Sequence, residues 1–158
     1  MVVVYDPAAG RELGRFREEN HVKPGDLVFV QDDHQPLTLA FSPDGRRLAL
    51  AGPSNLLRVW ETDNGRECPF SPLRPLNGLT AVTFSPDSRR LAATGYDGRV
   101  TLWDADAGRE LLTLRGRAAP GSGHYTFDAR VAFSPDGRYL AANDWDGSVF
   151  VWDAGPPP

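Results

Sequence analysis

Apolar and polar positions alternate along this chain in short runs, broken by clusters of Pro, Asp, Gly and Ser. Residues 37–41, 81–84 and 130–133 are runs of this kind, rich in β-branched and aromatic side chains, and they predict strands. Each leads into Ser-Pro-Asp-Gly or Ser-Pro-Asp-Ser, the chemistry of a type I turn. Proline presets φ at the second position, Asp favours the third, and Gly accepts the conformation needed to re-enter a strand. A second set of strands is predicted over 47–51, 90–94 and 139–143. Asp97-Gly98 and Asp146-Gly147 then read as hairpin turns. A third set covers 100–103 and 149–152, and a turn through Gly108 leads to a fourth strand at 110–114. No segment holds a helical apolar period long enough to predict a helix.

The runs are copies of one another. Phe41-Ser42-Pro43-Asp44-Gly45-Arg46-Arg47-Leu48-Ala49 returns at Phe84 and again at Phe133, at distances of 43 and 49 residues. Nineteen residues after each Phe stands a Trp, at positions 60, 103 and 152. A partial copy opens the chain, since Tyr5-Asp6 followed by Gly10-Arg11-Glu12 matches Trp103-Asp104 followed by Gly108-Arg109-Glu110. Four strands in a unit of about 40–45 residues is the pattern of a propeller blade.

These residues resemble the WD40-repeat family: the Phe-Ser-Pro-Asp-Gly turn, the Asp-Gly turn and the closing Trp-Asp. The resemblance implies an all-β fold, a partial, open WD40-type β-propeller of three four-stranded antiparallel blades plus an orphan N-terminal strand. Its implied divisions are 1–10, the terminal strand of a preceding blade; 11–62, with an insertion at 17–35; 63–105; 106–154; and a proline-rich tail at 155–158. Blades of this family often bury a network of His, Ser or Thr, Asp and Trp, which must satisfy all its polar atoms to hold a blade rigid. Carried over, its members here are His124, Asp146 and Trp152 in the last unit, Asp97 and Trp103 in the middle one, and Trp60 in the first. Ala142 and Ala93 stand where the strand hydroxyl is expected, so stability is expected to rest more on apolar burial than on these networks.

Composition narrows the functional classes. Glycine and proline make 30 of 158 residues, Asp outnumbers Glu 15 to 6, and Lys23 is the sole lysine against 16 arginines. Asp, Gly and Pro make turns, whereas Glu and Lys fill helix surfaces, so the balance argues against a helical protein. The net charge is −4 with the arginines spread along the chain, which lacks the basic patch of a nucleic-acid reader. No apolar run approaches the length of a membrane span. Cys68 is alone, which excludes a disulfide framework and a thiolate metal cluster. His21, His34 and His124 have no metal-ligand spacing, and Asp32-Asp33-His34 reads as a solvated acidic loop. The serines of the Ser-Pro-Asp turns lack a nucleophile elbow, and Cys68 beside Pro69 reads as a small apolar filler. Neither catalysis nor a cofactor is expected, and the location is expected to be cytoplasmic.

The resemblance also implies where a partner binds. Loops gather on the two faces of a propeller, and those between the second and third strands and between blades form the top face. The family's contact positions fall on Tyr96 and Trp145, then Leu37, Thr80 and Ala129, then Gln35, Gly78 and Phe127. Large aromatic side chains dominate interface energetics. The candidate contacts are therefore Trp145, Phe127, Tyr125, Asp128, Tyr96 and Gln35. The expected function is a scaffold binding a protein or peptide, with further blades in cis or another chain joining through open strand edges. The alternative is a regulatory or sensory module of a larger signalling protein.

Overall fold

A computed structural model describes residues 2–6, 11–16, 38–51, 56–71, 73, 78–115, 129–143 and 147–155, the first two segments as backbone. All named elements among them are strands: β1 (Val2–Asp6), β2 (Arg11–Phe16), β3 (Thr38–Phe41), β4 (Arg47–Ala51), β5 (Leu57–Glu61), β6 (Leu79–Phe84), β7 (Arg90–Gly95), β8 (Arg99–Asp104), β9 (Glu110–Arg115), β10 (Val131–Phe133), β11 (Tyr139–Asn143) and β12 (Val149–Asp153). They form four antiparallel sheets in strict chain order, β1-β2, β3-β4-β5, β6-β7-β8-β9 and β10-β11-β12. One register recurs, with Trp60, Trp103 and Trp152 opposite Leu48, Leu91 and Leu140.

One expectation is corrected. The first strand is not an orphan: β1 pairs with β2. Its register shifts between Val4 and Tyr5 as that of β8-β9 does between Leu102 and Trp103, setting Tyr5 opposite Glu12 and Trp103 opposite Glu110. The partial sequence copy is thus a structural copy. Of the expected four-stranded units, the β6–β9 sheet alone has four strands among the described residues. In the first unit the fourth strand is reduced to two bridges, Trp60↔Glu67 and Leu57↔Leu73. Pro69 lies between them and lacks the N–H a ladder needs. Side chains replace part of the ladder. The Val59 N–H donates to Ser71 Oγ (3.1 Å), whose hydroxyl donates to Glu67 (2.6 Å).

The sheets stack through their first strands, β3 and β4 against β6, and β6 and β7 against β10. Each joint buries one apolar cluster. Ala49, Leu57 and Val59 meet Leu79, Val82, Phe84, Leu91 and Trp103 in the first. In the second, Ala92, Val100 and Leu102 meet Val131, Leu140 and Ala142, with Phe133 and Trp152 partly buried at the margin. The side chains that a sheet offers to its successor come from the same register positions in both joints. Stability therefore resides between sheets as much as within them.

Candidate functional site

One end of the stack carries the Ser-Pro-Asp turns. In all three, the N–H three residues on donates back to the Ser carbonyl (2.8 Å each). The Ser hydroxyl donates to the Asp carboxylate, at 2.6 Å in Ser42–Asp44 and 2.5 Å in Ser85–Asp87 and Ser134–Asp136. Its oxygen also accepts the N–H of Arg47, Arg90 or Tyr139 at 2.9 Å. Gly45 and Gly137 close two turns at φ +71°, and Ser88 closes the third at φ +62°. That left-handed conformation is costly for a residue with a Cβ. Ser88 offsets part of the cost by accepting the Asp44 N–H of the neighbouring sheet's turn on its Oγ (3.1 Å).

These turns are pH-sensitive. The Ser42 hydroxyl, then the Arg46 N–H, hold Asp44 below the usual carboxylate range, and Ser134 and the Arg138 N–H do the same for Asp136. Burial pushes Asp87 up, but the Ser85 hydroxyl, the Arg89 N–H and the charges of Arg90 and Arg89 together bring it down. A carboxyl whose folded pKa is lowered stabilises the fold fully above its unfolded value, and that stability is lost as pH falls through the lower folded value. The urea midpoint should hold steady from neutrality to about pH 5 and fall below about pH 4. Replacing Ser42, Ser85 and Ser134 together with alanine should lower the midpoint at neutral pH and flatten the acid fall. Equal acid slopes in the two proteins would assign the lability to other carboxylates.

In the first two turns, the residue after the turn's first arginine joins the sheets. Arg47 Nη1 donates to the Ala105 carbonyl (2.7 Å), and Nη2 pairs with the Asp106 carboxylate. One unit later, Arg90 Nη1 donates to the Ala154 and Gly155 carbonyls (2.5 and 3.2 Å) and Nη2 to that of Gly137 (2.9 Å). Its guanidinium also lies over the Phe133 ring, 5.2 Å from the centroid. Tyr139 stands at this register in the third sheet, 40% exposed. By composition alone the arginines are charge spread along the chain. The missed signal was their fixed place six residues after the motif Phe.

The opposite end of the stack holds the expected contact face. Tyr96 is half-buried at the tip of the β7-β8 turn, and its N–H donates to the Gly78 carbonyl (2.8 Å). The turn runs from Gly95 to Gly98, closed by the Gly98 N–H on the Gly95 carbonyl (3.0 Å), with Gly98 left-handed at φ +70°. Tyr96 and Asp97, rather than Asp97 and Gly98, are thus its central residues. Asp97 accepts the Arg99 N–H (3.1 Å) and pairs with Arg99 Nε (3.0 Å), which braces the turn. Thr80 is the extra residue of a bulge, and its hydroxyl meets that of buried Thr94 at 2.7 Å. Strand β7 thus carries a buried hydroxyl one place beyond Ala93. Of the other carried-over positions, Ala129 and Gly78 are buried. Trp145, Phe127, Tyr125, Asp128, Gln35, His124 and Asp146 lie outside the described residues.

Trp60 and Trp103 are buried, whereas Trp152 is half-buried and stacks on Phe150 at 5.9 Å between centroids. Cys68 is buried in the first joint, where desolvation pushes its thiol up more than the Arg47 charge draws it down. A thiol so placed fills space and is a poor nucleophile near neutral pH. Among the described residues no group of His, Cys, Asp or Glu could hold a metal ion, and no helix is long and apolar enough to cross a membrane.

Antiparallel sheets stacked face to face, repeated in one register and clamped turn to turn, define an open, propeller-like repeat protein. The chain belongs to the WD40 family: the family model described as WD domain, G-beta repeat, matches residues 25–61, 71–104 and 121–153, more than half its length. No curated protein matches it significantly.

Proposed function

We propose that this chain is a non-enzymatic, cytoplasmic interaction scaffold that presents the loops at the Tyr96 end of its sheets to a protein or peptide. The reading rests chiefly on the three WD40 repeats, which generally mediate protein–protein interaction. Rigid sheets hold loops whose sequence is free to vary, which is how such folds carry recognition. Trp145, Phe127, Tyr125, Asp128 and Gln35 join Tyr96 as the proposed contacts. Sheet edges without a strand partner among the described residues suit the same chain to join further blades, in cis or from another chain. The test is to select peptides that bind the folded chain from a random display library. Their affinity is then compared between the wild type and a Trp145→Ala, Phe127→Ala variant. Loss of two aromatic anchors should cost at least about 2 kcal/mol. Peptides that bind both proteins equally would place recognition elsewhere.

A further inference from the structure

Strands β8 and β9 carry one pairing that the repeat does not require. Arg99 and Arg115 stand directly opposite each other. The Asp104 N–H donates to the Arg109 carbonyl, so alternation along β8 puts its even-numbered residues in the hydrogen-bonded pairs and leaves Arg99–Arg115 a non-hydrogen-bonded one. Side chains lie closest in such pairs, and like charges set opposite each other destabilise a sheet. In the next pair of the same kind, the Thr101 and Thr113 hydroxyls are 3.1 Å apart. Four residues before the closing tryptophan the other sheets have Leu56 and Ser148, so the blade register does not account for Arg99.

The sheet face that holds this pair also holds Thr101, Trp103, Glu110 and Thr113. Its inner part is closed by the first joint, in which Trp103 is buried. Its outer part is open, with Glu110, Thr113 and Arg115 exposed. The first sheet, which meets this face, has two bridges in place of a fourth strand. Other polar groups on the face have partners. Thr113 donates to Glu110 (2.8 Å), which leaves its oxygen to accept from Thr101. Asp97 pairs with Arg99 Nε at 3.0 Å and offsets one of the two positive charges. A guanidinium held through Nε still has two Nη groups to offer. The Arg115 side chain makes no hydrogen bond or ion pair among the described residues. Glu110 is five residues from it, about 15 Å along an extended strand and beyond pairing distance.

We propose that Arg99 and Arg115 form a clamp for a phosphorylated serine or threonine of a partner peptide. A phosphate monoester carries nearly two negative charges at neutral pH and three acceptor oxygens, so it bonds both guanidiniums at once and cancels their repulsion. A carboxylate matches one fork and one charge, a role that Asp97 already fills for Arg99. Because Arg99 follows the Tyr96 turn, the clamp lies beside the proposed contact face, on the flank of the sheet and not at a turn tip. The proposal rests on the reading of the chain as a peptide-binding module and adds a chemical preference to it.

The probes are short peptide pools, random except for a central phosphoserine, phosphothreonine, serine or glutamate, passed over the immobilised whole chain at low salt. The phosphorylated pools should be retained about tenfold more than the serine pool, as charge-assisted bonds imply, and the glutamate pool should follow serine. Arg115→Ala should erase that preference. Its urea midpoint should hold or rise slightly, because the same change removes the opposed charges. Arg115→Lys should restore part of the preference. Arg89→Ala removes an exposed arginine from the opposite end and should keep all of it. Equal losses in Arg115→Ala and Arg89→Ala would reveal general charge attraction and overturn the proposal. Phosphate-dependent retention that survives Arg115→Ala would do the same, as would capture of phosphoinositide vesicles with no phosphopeptide retained. Peptides selected from the display library separate the two readings. If those bind while the pools show no phosphate preference, the clamp alone is wrong, and if no peptide binds, the scaffold reading falls with it.

Discussion

Replacing Arg90 with alanine is expected to lower the free energy of unfolding by about 3 kcal/mol, with the wild-type fold retained at neutral pH. The side chain is 7% exposed and its guanidinium serves three carbonyls of the next sheet while lying over Phe133. Truncation removes three charge-assisted bonds and leaves acceptors that were shielded from water inside the joint. Lysine should recover at most about 1 kcal/mol, because a point charge cannot span carbonyls that a planar fork reaches together. Arg47 does the same work in the first joint, but one partner, Asp106, has a side chain 69% exposed. Its removal should cost about 1 kcal/mol and less at high salt, since an exposed ion pair is screened. Arg89, exposed at the adjacent position, is the control, and its alanine variant should stay within about 0.5 kcal/mol of wild type. Urea unfolding at low and high salt measures all four variants. Full recovery by Arg90→Lys would show that charge alone, and not the fork, holds the joint.

What the sequence disclosed follows from what its repeat encodes. The Phe-to-Trp spacing fixes strands in each unit because strand length and turn chemistry are local properties, and β3, β4, β6–β8 and β10–β12 appear where they are expected. The fourth strand is less local. Glu67 and Glu110 follow the same Gly-Arg, yet Pro69 breaks one strand where Leu111 and Leu112 continue the other. Pro69 stands two residues after Glu67, and only Cys68 beside it enters the sequence reading, as an apolar filler. The joints were harder to see, since Arg47 and Arg90 have the composition of surface charge and only stacking brings Ala105 and Ala154 to them. Ser88 hides for a similar reason. A serine in place of glycine looks like drift until the neighbouring turn supplies the Asp44 N–H. For the contact face, Tyr96 keeps its expected place at a turn tip, but the turn centres on Tyr96 and Asp97. The glycine's left-handed φ follows the corner instead of making it.

Trp103→Ala should be the costliest single truncation of the three motif tryptophans that close a sheet, lowering stability by about 3–5 kcal/mol. Trp103 is 4% exposed and belongs to the cluster that joins the first sheet to the second, with Leu79, Val82, Phe84 and Leu91 on its own sheet and Leu57 and Val59 from the neighbour. Removing the indole opens a cavity between two sheets that cannot both close on it, because β7 and β8 hold each other through a continuous ladder. Trp152 holds the same register, yet it is half-buried at the edge of its cluster, and alanine there should cost about 1–2 kcal/mol through lost contact with Phe150 and Leu140. Trp103→Phe guards against a variant too unstable to fold: it keeps an aromatic ring in the joint and should cost about half as much as alanine. The ordering, measured by urea unfolding at one pH, discriminates between two sources of rigidity. If sheets are stabilised singly, the two tryptophans are equivalent by sequence and should cost the same. If stability lies in the joints, Trp103 must exceed Trp152, because Trp103 is buried within its joint whereas Trp152 is half-buried at the margin of its own.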